Sequence, residues 1–262
     1  MSGFLVLWDV DYTLVDASGV GRHLYDLAFA ELYGRGLPEA AAEANMAGRT
    51  DRAIVLDVLA LAGVPDPLAD ALRFEAALSM LAPSLAGLAA ATARALPGAA
   101  DALGALAALG ARAPQPVPAG GGTAGCGTAG RLAAPLVVQS LLTGNVRALA
   151  EVKLAPLGLT AHLDLNVGAY GNENAVRSEL VYLARSRAAA AYGTEFGGQA
   201  TVLVGDTPLD VEAALAAGAR AVGVATGRFA AAELARAGAH AVLADLSDTG
   251  QVVAAVYQPR PA

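Results

Sequence analysis

The feature that most constrains how this chain can fold is a recurrence of short β-branched or Leu-rich runs at 4–8, 136–142, 163–167, 201–204, 221–224 and 241–243, several of them continuously apolar. A strand with one wet face alternates apolar and polar residues, so a continuous apolar strand must be covered on both faces. Longer Ala/Leu-rich segments at 99–111, 146–157, 175–192, 209–216 and 230–237 separate the runs and predict the crossover helices. Strand and helix in alternation give an α/β fold, a three-layer Rossmann-like core around a parallel sheet.

One stretch breaks the rhythm. From residue 18 to 95 the pattern is helical, with segments at 19–33, 51–61 and 68–95 and no strand, and Thr50 stands where a helix-capping hydroxyl belongs. This predicts an α-helical cap over 17–96 inserted into a core of 1–16 and 97–262, with hinges at 16–18 and 96–98. The insert leaves the sheet at the carboxyl end of the first strand, where open α/β folds bind ligands, so it is expected to act as a lid. A second irregular stretch, 113–135, holds Gly120-Gly121-Gly122 and Gly125-Cys126-Gly127. It reads as a flexible insertion at the amino-terminal edge of the sheet, away from the ligand face.

Bulk properties narrow the partners. With 262 residues, 55% of them apolar, the chain can bury a full core without staples. A net charge of −7 and no basic run exclude nucleic acid as an expected partner. Cys126 is the single cysteine, which leaves no disulfide framework and no thiolate metal site. The first apolar run lacks a basic leader and is too short for a signal core, and the longer apolar stretches are interrupted before twenty residues. A soluble cytoplasmic protein with no membrane contact is the expectation.

Chemistry gathers at strand ends. Asp9 and Asp11 close the first run, and carboxylates this close repel unless a cation joins them or one holds a proton. Mg²⁺ meets the first condition, and a nucleophile beside an acid/base meets the second; two turn-forming aspartates would read the same way. The second run ends in Thr143-Gly144-Asn145 before a helix, which suits an oxyanion and suits an ordinary Asn cap equally. The run at 201–204 leads into Gly205-Asp206-Thr207-Pro208-Leu209-Asp210, where Asp206 could complete an oxygen cage begun by Asp9 and Asp11.

Taken in order, these motifs resemble the haloacid dehalogenase superfamily, and the resemblance covers essentially the whole chain. Its pattern of Asp-x-Asp-x-Thr, a hydroxyl-bearing strand end, a basic residue and Gly-Asp-x-x-x-Asp is matched at Asp9–Thr13, Thr143 and Gly205–Asp210. The resemblance implies Asp9 as nucleophile, Asp11 as general acid/base, and Thr143 with Gly144 and Asn145 as phosphate ligands. It further implies Mg²⁺ held by Asp206, Asp9 and the backbone carbonyl of Asp11, with Asp210 supporting that shell.

The basic residue departs from the pattern. Many small-molecule phosphatases of the superfamily carry Lys-Pro where this chain has Asn174-Ala175-Val176-Arg177. Arg177, in the first turn of the following helix, is the candidate to bridge phosphate and nucleophile. Lys153 competes, but two turns into the preceding helix it is expected to point away as a solvated surface cation. Arg49, beside the cap's helix start, is the candidate to hold a second anionic group of the substrate, or is an exposed Arg without a ligand. His23 is given no role.

The resemblance implies hydrolysis of a small phosphorylated metabolite, as in phosphoglycolate phosphatases. Asp11 disfavours dehalogenation, which has no leaving group to protonate, and the absence of lysine from 16–96 excludes a Schiff-base phosphonate hydrolase. A sugar-phosphate mutase and a non-catalytic binding module are the competing readings.

Overall fold

The computed structural model describes residues 3–17, 19–110 and 136–257. Strands β1 (Gly3–Trp8), β4 (Leu136–Leu141), β5 (Thr201–Gly205), β6 (Arg220–Val224) and β7 (Ala241–Leu243) form one parallel sheet in the order β4-β1-β5-β6-β7, and β2 (Val15–Asp16) pairs antiparallel with β3 (Arg94–Ala95) in a separate ribbon. The parallel sheet is covered on both faces by two core clusters, as its largely apolar strands require. Val6 and Trp8 face a core shared with α6 (Ala99–Gly110), α7 (Arg147–Leu154) and α11 (Thr249–Val256). Leu5 and Leu7 face α8 (Arg177–Tyr192), α9 (Pro208–Ala216) and α10 (Ala231–Arg236). The Gly/Pro-rich stretch 113–135 lies outside the described residues.

The run at 163–167 is not a strand. Asp164 interrupts it by accepting from the Asn166 amide at 3.0 Å, a side-chain turn that competes with a ladder. The segment still follows β4, through Asp164 N–H to the Gln139 carbonyl at 2.9 Å and a single bridge between Leu142 and Ala169. It covers the edge of the sheet without extending it. Helix α11 falls where no helix was expected; Asp248 caps its start, and the buried Arg220 donates to the carbonyls of Ala255 and Val256 at its end.

Between β2 and β3 lies a helical unit of α1 (Val20–Tyr33), α2 (Glu39–Ala42), α3 (Asp51–Leu61), α4 (Pro67–Leu81) and α5 (Ala86–Thr92). Tyr25, Phe29 and Phe74 meet at its centre, with ring centroids 5.7 and 6.4 Å apart for the two pairs that include Phe74. The segments expected as hinges adjoin the β2–β3 ribbon, where Leu96 N–H also donates to the Leu14 carbonyl. Thr50 caps α3, accepting from the Ala53 amide. The stretch Pro67–Thr92 is, against the expectation above, long and apolar enough to cross a membrane by length and composition. A turn at Ala82–Leu85 breaks it, and it turns Phe74, Ala77, Leu78, Leu85 and Ala89 into the protein interior.

Candidate active site

Because β1, β4 and β5 are parallel and adjacent, their carboxyl ends bring Asp9, Thr143 and Asp206 to one edge. Asp9 follows Trp8 directly and is tied to β5 by its amide, which donates to the Val204 carbonyl at 2.9 Å. The chain then turns sharply. Tyr12 has φ 57°, the one positive φ outside glycine among the described residues, in the sparsely populated left-handed region where functional turns concentrate. Thr207 and Asp210 form a reciprocal capping box at the start of α9, fixing the Asp206–Asp210 turn. A cavity of about 740 Å³ opens over this edge, lined below by Asp9, Asp11, Thr143, Lys153, Arg177 and Asp206, and above by Arg22, Tyr25, Arg49 and Asp51 of the helical unit.

Two buried cations divide the acids between them. Arg177 sends one nitrogen to Asp9 Oδ1 at 2.8 Å and to Asp210 Oδ1 at 2.6 Å. Lys153, only 3% exposed, donates to both oxygens of Asp11 at 2.8 and 2.6 Å and to Asn145 Oδ1 at 2.9 Å. The Asn145 amide completes that second group, donating to Asp11 Oδ2 and to the Thr143 hydroxyl, each at 2.8 Å. Since Thr143 Oγ1 accepts there, its own proton is left to donate into the cavity.

Burial pushes the Asp9 carboxyl up from the ordinary carboxylate range, helped by the charge of Asp210 and opposed by Arg177. Asp206 is pushed up as well, by burial and then by the charges of Asp9 and Asp210. Burial works against the charge on Arg177, but Asp210 and Asp9 outweigh it and hold the guanidinium above its usual value. The structure thus crowds anionic charge at one point. Asp9, Asp206 and Asp210, all buried, each offer an oxygen within 4.8 Å of the others. Three carboxylates against one guanidinium leave two negative charges, which fits a hard divalent cation with oxygen ligands.

The expected residues do not all stand as the sequence implied. The Asp11 carboxylate is not part of the converging acids; Lys153 and Asn145 hold it in bonds of their own. Asp210 already accepts from Arg177 and, through Oδ2, from the Thr207 amide and hydroxyl at 3.1 and 2.7 Å, so it supports the turn. Arg49 lines the cavity, but its guanidinium folds back on its own unit, 2.7 Å from Asp57 and donating to the carbonyls of Asn45 and Ala53.

Lys153 is the largest correction, since it points into the site and not away from it. Seven residues after the N-cap Val146 it lies on the same helix face, and helical side chains lean towards the amino terminus. One sequence signal was available: it is the only lysine in a chain with 17 basic residues. Asp51, buried against the floor of the site, was not anticipated either.

Residues 182–249 match a family model described as HAD-hydrolase-like. Comparison with curated protein sequences gives no match. Among solved structures, the chain is similar to a hydrolase from Pseudomonas syringae, with 19% identity and a TM-score of 0.60 over 97% of this chain and 99% of that one. A haloacid dehalogenase-like family hydrolase from Streptococcus pneumoniae gives 16% identity and a TM-score of 0.56 over 97% and 98%. A predicted phosphatase from Clostridium acetobutylicum gives 14% and 0.62 over 97% and 99%. At these identities the likeness is one of fold, and it spans the core and the helical unit together.

Proposed function

We propose that this chain, folded as the haloacid dehalogenase-like hydrolases are, hydrolyses the phosphomonoester of a small metabolite with Asp9 as nucleophile. The observation that carries the reading is the pairing of two carboxylates with two separate buried cations, the buried Asp9 with Arg177 and the partly exposed Asp11 with Lys153, on the floor of one cavity. That division gives the acids different work. Asp9 Oδ2 faces no donor among the described residues, which leaves it to attack phosphorus in line while the ester oxygen departs. Asp11 gives the leaving oxygen its proton and then takes one from the water that cleaves the aspartyl-phosphate, releasing phosphate and restoring Asp9.

The Thr143 hydroxyl and the Arg177 guanidinium meet the equatorial phosphate oxygens, where charge collects in the transition state. Asp206, Asp9 and the Asp11 carbonyl would hold Mg²⁺, which when bound supplies positive charge against the phosphate and the crowded carboxylates. The helical unit over the cavity serves as a cap that selects the ester and limits the site to the water that hydrolysis needs.

The test is a panel of phosphorylated metabolites assayed with and without Mg²⁺, read as free phosphate. The wild type should release phosphate from a subset of the panel, and Asp9→Asn should lose ~10³-fold or more of that activity, as removal of a nucleophile does. An Asp9→Asn variant with intact turnover would sink the scheme, and isomerised ester without free phosphate would move the reading to a mutase.

A further inference from the structure

From the bonds between the helical unit and the core we infer that Asp51 is a positioning residue, through which the docked cap holds the Thr143–Val146 phosphate loop in shape. The inference rests on the phosphatase reading only for what that loop binds. Three consecutive residues at the start of α3 make the contact. Thr50 Oγ1 donates to the Ala175 carbonyl at 3.1 Å, the Asp51 amide to the Gly144 carbonyl at 2.7 Å, and the Arg52 amide to the Gly171 carbonyl at 2.9 Å. In return Asp51 Oδ2 accepts from the Val146 amide at 2.6 Å, the residue that caps α7. Asp51 Oδ1 is held by the Tyr25 hydroxyl at 2.7 Å, inside the cap.

The first amides of a helix lack intrahelical partners, and here core carbonyls satisfy two of them. The bond to Gly144 matters most. A peptide unit is planar and trans, so fixing the Gly144 carbonyl towards the cap turns the Asn145 N–H to the opposite side. That N–H meets Thr143 Oγ1 at 3.3 Å, the hydroxyl proposed to face phosphate. Asp51 thereby grips the loop from both sides, pulling on the Gly144 carbonyl and bracing the Val146 amide, with Asn145 between them. Bulk is excluded at this seam: a Cβ on Gly144 would run into the Arg49 carbonyl, and one on Gly171 into the Gly144 carbonyl. Ala175 lies two residues before Arg177, so the same α3 turn also braces the approach to the guanidinium.

The experiment compares Asp51→Ala, Asp51→Asn and Tyr25→Phe with wild type. Three readouts are taken: kcat on an aryl phosphate with Mg²⁺, inhibition by inorganic phosphate, and hydrogen exchange at the amides of 144–146. Asp51→Ala should lower kcat and weaken phosphate inhibition by about tenfold or more, because misplacing a binding loop by ~1 Å is that costly, and exchange at 144–146 should accelerate. Asn can keep an oxygen on the Val146 amide while turning its NH₂ to Tyr25 Oη, so Asp51→Asn should stay within about threefold of wild type. A group acting by its charge would not be rescued in this way. Tyr25→Phe removes only the orienting hydroxyl and should shift all readouts in the direction of Asp51→Ala, which keeps the inference testable if that variant does not fold.

Unchanged phosphate inhibition and unchanged exchange in Asp51→Ala overturn the inference, as does an Asn variant impaired as badly as the Ala variant. If wild type cleaves no phosphate ester, the function reading falls by itself. Exchange at 144–146 then still decides whether Asp51 holds the loop.

Discussion

Lys153 and Asp11 make two of their hydrogen bonds to one another, and Asn145 is bonded to both, so the proposed acid/base is oriented by a group that is itself buried. Lys153→Met removes two charge-assisted bonds from Asp11 and leaves it only Asn145. Turnover of an alkyl phosphate, whose leaving oxygen needs a proton, should fall by ~10²-fold, the usual scale of positioned acid catalysis. An aryl phosphate that departs unaided should lose far less, and equal losses on the two esters would remove Asp11 from the acid role. Lys153→Arg should not rescue, because a planar fork cannot replace a compact ammonium between one carboxylate and one amide oxygen.

Arg177 is the opposite case. Its removal in Arg177→Met leaves Asp9 and Asp210 buried and unpaired, which should cost about 3–5 kcal/mol in urea unfolding. Added Mg²⁺ should return part of that loss by replacing the missing positive charge, and a variant as stable as wild type without metal would show that the pair contributes nothing. Arg177 could be placed from sequence because it opens its helix. Lys153 could not be placed by spacing alone, since its distance from the helix mouth hid the backward lean of its side chain.

At the scale of elements, the legible parts of the chain were those where one local signal decides. Residues 51–61 carry a capping hydroxyl, a helical period and no breaker, and α3 spans that range. The run at 241–243 is a strand with those bounds, half-buried, with Leu243 in one core cluster and Val242 packed against the other. Residues 163–167 carry apolar residues only at alternate positions, and Asp164 between them offered the backbone a side-chain partner, so the ladder was lost. The cap–core seam was harder to read, because two of its bonds run from backbone amides of α3 to the carbonyls of Gly144 and Gly171, which no side-chain pattern reports. Thr50 shows what one such residue contributes. Thr50→Val removes the acceptor for the Ala53 amide and the donor to Ala175, and should cost about 1 kcal/mol in thermal unfolding, the usual value of a lost cap. Thr50→Ser retains both bonds and should be close to neutral, while a Val variant as stable as wild type would show that the two bonds contribute nothing.

The whole molecule closes its two halves over the same acids, so its stability should register their ionisation. Burial and mutual repulsion raise the carboxyls of Asp9 and Asp206 in the folded protein, while in the unfolded chain they titrate normally. Between the ordinary carboxylate range and those raised values the folded state therefore holds more protons. Stability contributed by those protons is complete below the ordinary range and is lost as pH rises through the raised values. Metal-free protein should accordingly show a Tm that declines from mildly acidic to mildly alkaline pH. Mg²⁺ binds only the ionised carboxylates, so it competes with protons at the low end and finds the site vacated at the high end. The rise in Tm produced by a fixed excess of Mg²⁺ should therefore grow with pH, reaching the ~2–3 kcal/mol equivalent expected at a hundred times Kd. Chelation should restore the declining curve, and Asp206→Asn should flatten it while abolishing most of the Mg²⁺ response. A Mg²⁺ increment independent of pH, or one that survives Asp206→Asn unchanged, would place the bound ion away from these carboxylates.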